Sequence, residues 1–452
     1  MTLAHVVEPR CADAHPALPA VTSARLTVPL VDGRRVPYAN LDHAASAPCL
    51  EAVQDAVNEL LPWYASVHRG AGFASRVSTR VYEQARDTLR AFVGAHRGDT
   101  VVFTRNTTDA LNLLARCLPR GTSVVLFDTE HHAALLPWRG PNVRRIPTPE
   151  RPGDAVVALE DALRGCPTGP RLVVITGASN VTGEVWPVTR LAEVARRHGA
   201  RIALDAAQLA PHRPVDARAL DVDYVALSGH KLYAPFGAGA LVGRADWLQA
   251  AEPYLSGGGA TRQVVDWGDR LGVSWSAVPE RHEAGSPNVV GVHALAVACE
   301  TLDRHGWEPI MTHERLLLDR LRTGLATVPG YTGLSLFGPD NDRVSVASFT
   351  VTGQDPGRLA AVLSAEHGIG VRDGLFCAHI ATRRLLDRAG STQQRALRAS
   401  LGLGSTVEHV DRLVAALRSV VADGAGWNYR LIDGRWTPDP DPRPLPPFLT
   451  AG

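Results

Sequence analysis

The chain has 452 residues, in which 47 Lys and Arg nearly balance 46 Asp and Glu for a formal net charge of +1. That length exceeds what one compact core usually organises, so two domains sharing a cleft are expected. Near-neutrality removes the electrostatic reason to expect nucleic acid or an anionic membrane surface as partner, and leaves a small molecule as the expected ligand.

Cys11, Cys49, Cys117, Cys166, Cys299 and Cys377 are scattered, with no C-x-x-C pair and no histidines at metal-ligand spacing, so neither a metal site nor a disulfide framework is expected. The N-terminal residues include acidic side chains and no unbroken apolar run. Nowhere do ~18 apolar residues follow one another, so a cytoplasmic protein with reduced thiols and no membrane span is expected.

Residues 1–22 are Pro- and Ala-rich without periodicity and read as a flexible arm. From 23 to 295 the composition predicts a large domain. Its apolar runs VVFTR (101–105), SVVLFD (123–128), RLVVITG (171–177), RIALD (201–205), DYVALS (223–228) and AGALVG (238–243) alternate with amphipathic stretches. Continuous apolar strands separated by helices predict a mostly parallel sheet covered on both faces. Residues 296–422 read as a smaller α+β unit, with RVSVASFTV (343–351) alternating like a half-buried strand. Its last helix is predicted to start at a capping box, Ser405 with Glu408, and to bury Val407, Val410, Leu413, Val414 and Leu417. The remainder, 423–452, reads as a Pro-rich tail, extended over 437–449.

Five segments carry chemistry. In DYVALSGHKLYAPFGAGALVG (223–243) a buried strand runs into Ser228, His230 and Lys231; ligands of open parallel sheets bind beyond the carboxyl ends of the strands, where a desolvated lysine can form a Schiff base. Alone, such a lysine is more often a solvated strand end. RIALDAAQLAPHRPVD (201–216) ends a strand on Asp205, with Gln208 just beyond; a carboxylate there suits a protonated ring nitrogen, although a lone Asp at that place is commonly a helix cap. VVFTRNTTDALNLLARCL (101–118) places Thr107 and Thr108 at a helix start, where free N–H groups favour an anion. FDTEHHAALLPW (127–138) offers His131 and His132, one of which could stack on a ring or shuttle a proton, unless both are core residues. GASNVTGEVWPV (177–188) sets Asn180 in a turn, as ligand contact or simple turn former.

Taken together and in order, these segments resemble the class V aminotransferase family of fold type I pyridoxal 5′-phosphate (PLP) enzymes. The resemblance is nearest to SUF-type cysteine desulfurases and isopenicillin N epimerase-like proteins, and runs over about residues 40 to 420. It also draws on NLDHAASAP (40–48), VHRG (67–70) and EAGSPN (283–288). It implies an α/β architecture with a seven-stranded, mostly parallel sheet and a smaller α+β C-terminal domain. It implies further that Lys231 holds the cofactor, Asp205 faces the ring nitrogen, Gln208 and Asn180 attend the ring oxygen, and His131 stacks on the ring. Thr107, Thr108, Ser228 and His230 would bind its phosphate. Ser286 would reach the phosphate of a partner subunit, which implies a homodimer with composite sites.

In ALRASLGLGST (396–406), Arg398 matches the family arginine that clamps a substrate carboxylate, a task suited to its planar fork. VRDGLFCAHI (371–380) lies where SUF-type desulfurases carry R-x-G-H-H-C-A, so Cys377 falls on the sulfur-accepting nucleophile. Leu375 and Phe376 replace the two histidines, and His379 follows the cysteine by two residues; apolar surroundings are expected to raise a thiol's pKa. The reaction therefore stays open between three chemistries: desulfuration of L-cysteine with transfer to a sulfur-acceptor protein, C–S cleavage of a cysteine conjugate, and epimerisation or other PLP chemistry. A catalytically silent scaffold is the reading from outside enzymology.

Overall fold

The computed structural model describes residues 18–450. The arm expected over 1–22 lies mostly outside them, but its last residues are in place: Val21 is buried and bridges to Leu50.

The large sheet has seven strands in the spatial order Thr100–Thr104, Gly239–Gly243, Tyr224–Ser228, Arg201–Asp205, Arg171–Thr176, Ser123–Phe127 and Val143–Ile146. All neighbours are parallel except Gly239–Gly243, which runs antiparallel to both of its partners. The five central strands are almost wholly buried, which is why their sequences are unbroken apolar runs rather than alternations. Helices such as Phe73–Phe92, Thr107–Arg116 and Val188–Arg197 cover the two faces with their apolar stripes. The functional consequence is that Asp205 and Ser228 end adjacent parallel strands at the same edge, with Lys231 three residues past Ser228.

A four-stranded sheet follows in the order Tyr331–Gly333, Val346–Val351, Ala396–Ser400, Arg372–Gly374. Val346–Val351 is buried at all six positions and not half-buried as its alternating sequence suggested. One face packs on helices such as Trp307–Leu325 and Pro356–His367; on the other, Ser348 Oγ donates to Val181 O in the loop after Arg171–Thr176. The last helix of this unit, Val407–Asp423, is capped by Thr406, whose hydroxyl accepts from His409 N; Ser405 Oγ instead accepts from Gly402 N. Val410, Leu413, Val414 and Leu417 are buried, and Val407 is exposed.

The C-terminal segment is not simply extended. Tyr429–Ile432 and Arg435–Pro438 pair as a hairpin, and Glu366 accepts from Gly426 N, Trp427 N and the Tyr429 hydroxyl to hold it on the helix Pro356–His367. Asp433 and Gly434 both have positive φ (48° and 75°), the backbone a two-residue I′ turn requires. Among the described residues no helix is long and apolar enough to cross a membrane, and the described cysteines are free thiols.

Candidate functional site

A cleft of about 200 Å³ opens at the carboxyl ends of the parallel strands, between the two sheets. It is lined by eleven of the twelve residues expected at the site: Thr107, Thr108, His131, Asn180, Asp205, Gln208, Ser228, His230, Lys231, Cys377 and Arg398. Ser286 is not among them; it is exposed on the loop before the helix Val289–His305.

At one end lies the start of the helix Thr107–Arg116, capped by Asn106, whose side-chain oxygen accepts from Asp109 N. Thr107 Oγ1 and Ser228 Oγ are buried and lack any hydrogen-bond partner in the protein. Two orphaned hydroxyls beside a helix N-terminus fit a phosphate, whose oxygens would satisfy them. His230 is held near neutrality by burial and then by the Lys231 charge, its pKa pulled down to about 4.

In the middle, Asp205 Oδ1 accepts from Ala207 N at 3.0 Å, so the carboxylate caps the turn as well as facing the cleft. Burial raises its pKa, opposed by that N–H and by Lys231. A protonated heterocyclic nitrogen is the kind of partner that would restore the anion. Lys231 has its pKa drawn down to about 8, first by burial, with Asp205 pulling the other way and Arg398 adding to the fall. That leaves a useful fraction of free amine at neutral pH. Above these, His131 accepts from Ala133 N through Nδ1, which puts its ring proton on Nε2. Burial, then Lys231, lowers its pKa to about 3, so it is neutral under working conditions. Gln208 Nε2 donates to Ala44 O at 2.6 Å and Asn180 Nδ2 to Phe376 O at 2.7 Å. Each amide nitrogen keeps one hydrogen for a ligand.

The outer end belongs to the second sheet. Arg398, 2 % exposed, donates Nη1 to Asn180 O (2.9 Å) and Nη2 to Asp42 Oδ1 (3.0 Å). Cys377 is exposed on a turn in which both Phe376 and Cys377 have φ of 53°. Left-handed backbone costs a non-glycine residue about 1–2 kcal/mol, and the turn is held by several bonds at once. Asn180 donates to Phe376 O, His132 N to Cys377 O (2.8 Å), and Ala378 N and Thr382 Oγ1 to Leu375 O. The thiol does not sit in the apolar setting that Leu375 and Phe376 suggested. The Phe376 ring packs against the Arg398 guanidinium at 5.1 Å; burial lowers the pKa of both Lys231 and Arg398, and Cys377 is close enough to each to oppose that fall slightly.

Arg372 and Phe376 also line the cleft, and Asp42 pairs with Arg398 at 3.0 Å without lining the cleft; none of the three was assigned from sequence. Arg372 stands five residues before Cys377, and Asp42 lies inside NLDHAASAP, so both were in segments already singled out. Asp373 does not line the cleft; it pairs with Arg395 at 3.4 Å.

This chain matches the aminotransferase class-V family over residues 39–413. It is 37 % identical over 396 residues, 85 % of this chain and 92 % of the relative, to the cysteine desulfurase of Dickeya dadantii (strain 3937). Among solved structures it is similar to the apo cysteine desulfurase of Thermococcus onnurineus NA1, with TM-score 0.76, 30 % identity, and coverage of 90 % of this chain and all of that one (100 %). It is likewise similar to the S-sulfonic acid form of a cysteine desulfurase from Escherichia coli, with TM-score 0.73, 31 % identity and coverage of 85 % and 95 %. A sheet of this topology, a lysine and an acid at adjacent strand ends, and a match over most of the length lead to one assignment: the chain belongs to the class-V aminotransferase family and is a PLP-dependent enzyme.

Proposed function

We propose that this enzyme is a cysteine desulfurase, converting L-cysteine to L-alanine and leaving the sulfur as a persulfide on Cys377. The observation that carries the reading is the placement of an exposed thiol, on an over-determined turn, in the same cleft as Lys231 and Arg398. The desulfurase relatives at comparable length support it.

When bound, the cofactor supplies an electron sink for the bonds around the substrate α-carbon. The chain's residues do the rest. Thr107, Thr108, Ser228, His230 and the helix N-terminus would hold the phosphate; Asp205 would pair with the ring nitrogen; Asn180 and Gln208 would lend their free amide hydrogens to the ring oxygen; neutral His131 would cover the ring. Arg398 takes the substrate carboxylate. Lys231 would anchor the cofactor and, as a free amine, would be the base that moves the α-proton. Cys377 as thiolate attacks the substrate sulfur: an S–S bond forms, the Cβ–S bond breaks, and its electron pair stays with the carbon skeleton that leaves as alanine. Cysteine plus protein thiol thus becomes alanine plus protein persulfide, with no outside oxidant.

The same reading includes a homodimer, since Ser286 is exposed and apart from its own cleft, and Trp63, Tyr64 and Phe73 form an exposed apolar surface. It also includes a thiol-bearing acceptor protein for the persulfide sulfur, and a cytoplasmic setting in which thiols stay reduced.

The test is incubation of PLP-loaded protein with L-cysteine, following alanine, pyruvate and protein-bound persulfide for wild type and Cys377→Ala. Alanine and persulfide are expected together, and both are expected to vanish in the variant. Pyruvate without persulfide, or an equally active variant, rules out desulfuration through Cys377.

A further inference from the structure

Arg398 is an almost fully buried guanidinium, and the protein satisfies it only in part. Nη1 and Nη2 each have a partner, while Nε is buried without one. Among the described residues Asp42 is the only carboxylate in an ion pair with it. Asp42 is not among the residues lining the cleft; it meets Arg398 with one oxygen, a quarter of its side chain is exposed, and its other oxygen is 3.7 Å from Arg372 Nη1.

Its backbone is pinned to the strand that bears Arg398. Residue 42 forms a parallel bridge with Ser400, two residues beyond Arg398. Ser400 N donates to Leu41 O at 2.7 Å, and Ser400 Oγ accepts from Ala44 N at 2.9 Å. Asn40 Oδ1 accepts from Asp42 N, and Ala44 O receives Gln208 Nε2. A carboxylate on a segment so restrained does not follow the guanidinium; the guanidinium follows it.

We propose that Asp42 is a positioning residue for substrate recognition: it fixes the guanidinium of Arg398, so that the donors left over are presented to the α-carboxylate of an amino acid. One carboxylate faces two arginines here, and the incoming α-carboxylate supplies the negative charge and the acceptors the cluster lacks. Asp42 acts through Arg398 and touches no reacting atom. The inference rests on the amino-acid reading of the cleft, not on sulfur transfer to Cys377.

The experiment uses PLP-loaded protein in the Cys377→Ala background, so that turnover through the thiol cannot contribute, and reads the change in cofactor absorbance on titration with L-cysteine and with cysteamine, which lacks the carboxylate. Asp42→Ala is expected to raise the half-saturating concentration of L-cysteine about tenfold or more, the loss typical of a charge-assisted hydrogen bond. Cysteamine binding is expected to change less than about twofold. Asp42→Asn, which keeps an oxygen acceptor, is expected to fall between wild type and alanine, and serves if the alanine variant melts early. Unchanged L-cysteine binding, or equal weakening of both ligands, overturns the inference. Because the readout is binding, it holds whether or not the wild-type enzyme makes alanine. A wild-type protein that gives no absorbance change with any amino acid overturns both this inference and the reading it rests on.

Discussion

Lys231 shows how far position alone changes a side chain. An exposed lysine is protonated throughout the physiological range, but here burial draws the pKa down to about 8. The nucleophile toward the cofactor aldehyde is the neutral amine, so its fraction is about 1 % at pH 6, about 10 % at pH 7 and half at pH 8. Capture of PLP by cofactor-free protein is therefore expected to accelerate about tenfold per pH unit from 6 to 7 and to level off above about 8. His131, neutral from about pH 3 upward, adds no inflection of its own. Stopped-flow absorbance across pH 6–9 checks this, and a rate that stays flat from 6 to 8 means Lys231 is not the depressed amine described. The cleft residues that sequence revealed, Lys231 and Asp205 above all, sit within a few residues of the apolar strands that aim them. Asp42 could not be assigned that way, because its partner Arg398 lies 356 positions along the chain and nothing local marks the pair.

At the level of elements, the phosphate end of the cleft depends on how closely the antiparallel strand Gly239–Gly243 approaches the loop before the helix Thr107–Arg116. A Cβ built on Gly239 would stand 2.7 Å from Asn106 Cα and 2.7 Å from Leu227 O, and both neighbours are backbone. Gly239→Ala is thus expected to push the Asn106–Thr107 turn away from Ser228, to cost about 1–3 kcal/mol of stability by overpacking, and to loosen cofactor retention. Denaturant melts and the rate of PLP loss on dialysis test it; wild-type behaviour in both would mean the approach is not structurally required. The central strands were legible because burial on both faces leaves them nothing but apolar residues. Val143–Ile146 was not, since an edge strand reading VRRI is only partly buried and carries two arginines. The C-terminal hairpin was hidden by the Pro-rich residues around it, although Asp433-Gly434 is a turn signal in its own right.

Across the whole molecule, the reacting groups are split between the two sheets: Lys231 and Asp205 come from one, Cys377 and Arg398 from the other. Their spacing therefore rests on ties that cross between the sheets. Glu184, on the loop after Arg171–Thr176, accepts from Ser335 Oγ, Leu336 N and Phe337 N; Asp128 pairs with Arg384. A further enclosed tie is His212, shortly after Gln208, with Glu314 on the helix Trp307–Leu325. They are 3 % and 4 % exposed, the imidazole Nδ1 lies 2.9 Å from both carboxylate oxygens, and Ser345 Oγ donates to Oε2 at 3.1 Å. Glu314→Ala would leave His212 and Ser345 buried without their acceptor, and is expected to cost about 3–5 kcal/mol. Glu314→Gln keeps an acceptor oxygen and should lose less. The exposed pair Arg320–Asp411 is the contrast: both side chains are half in solvent, and Asp411→Ala is expected to leave stability close to that of wild type. Equilibrium unfolding of the three variants decides the matter. If Glu314→Ala costs as little as Asp411→Ala, the buried pair does not hold the two halves of the cleft in register, and that task falls to Glu184 and Asp128.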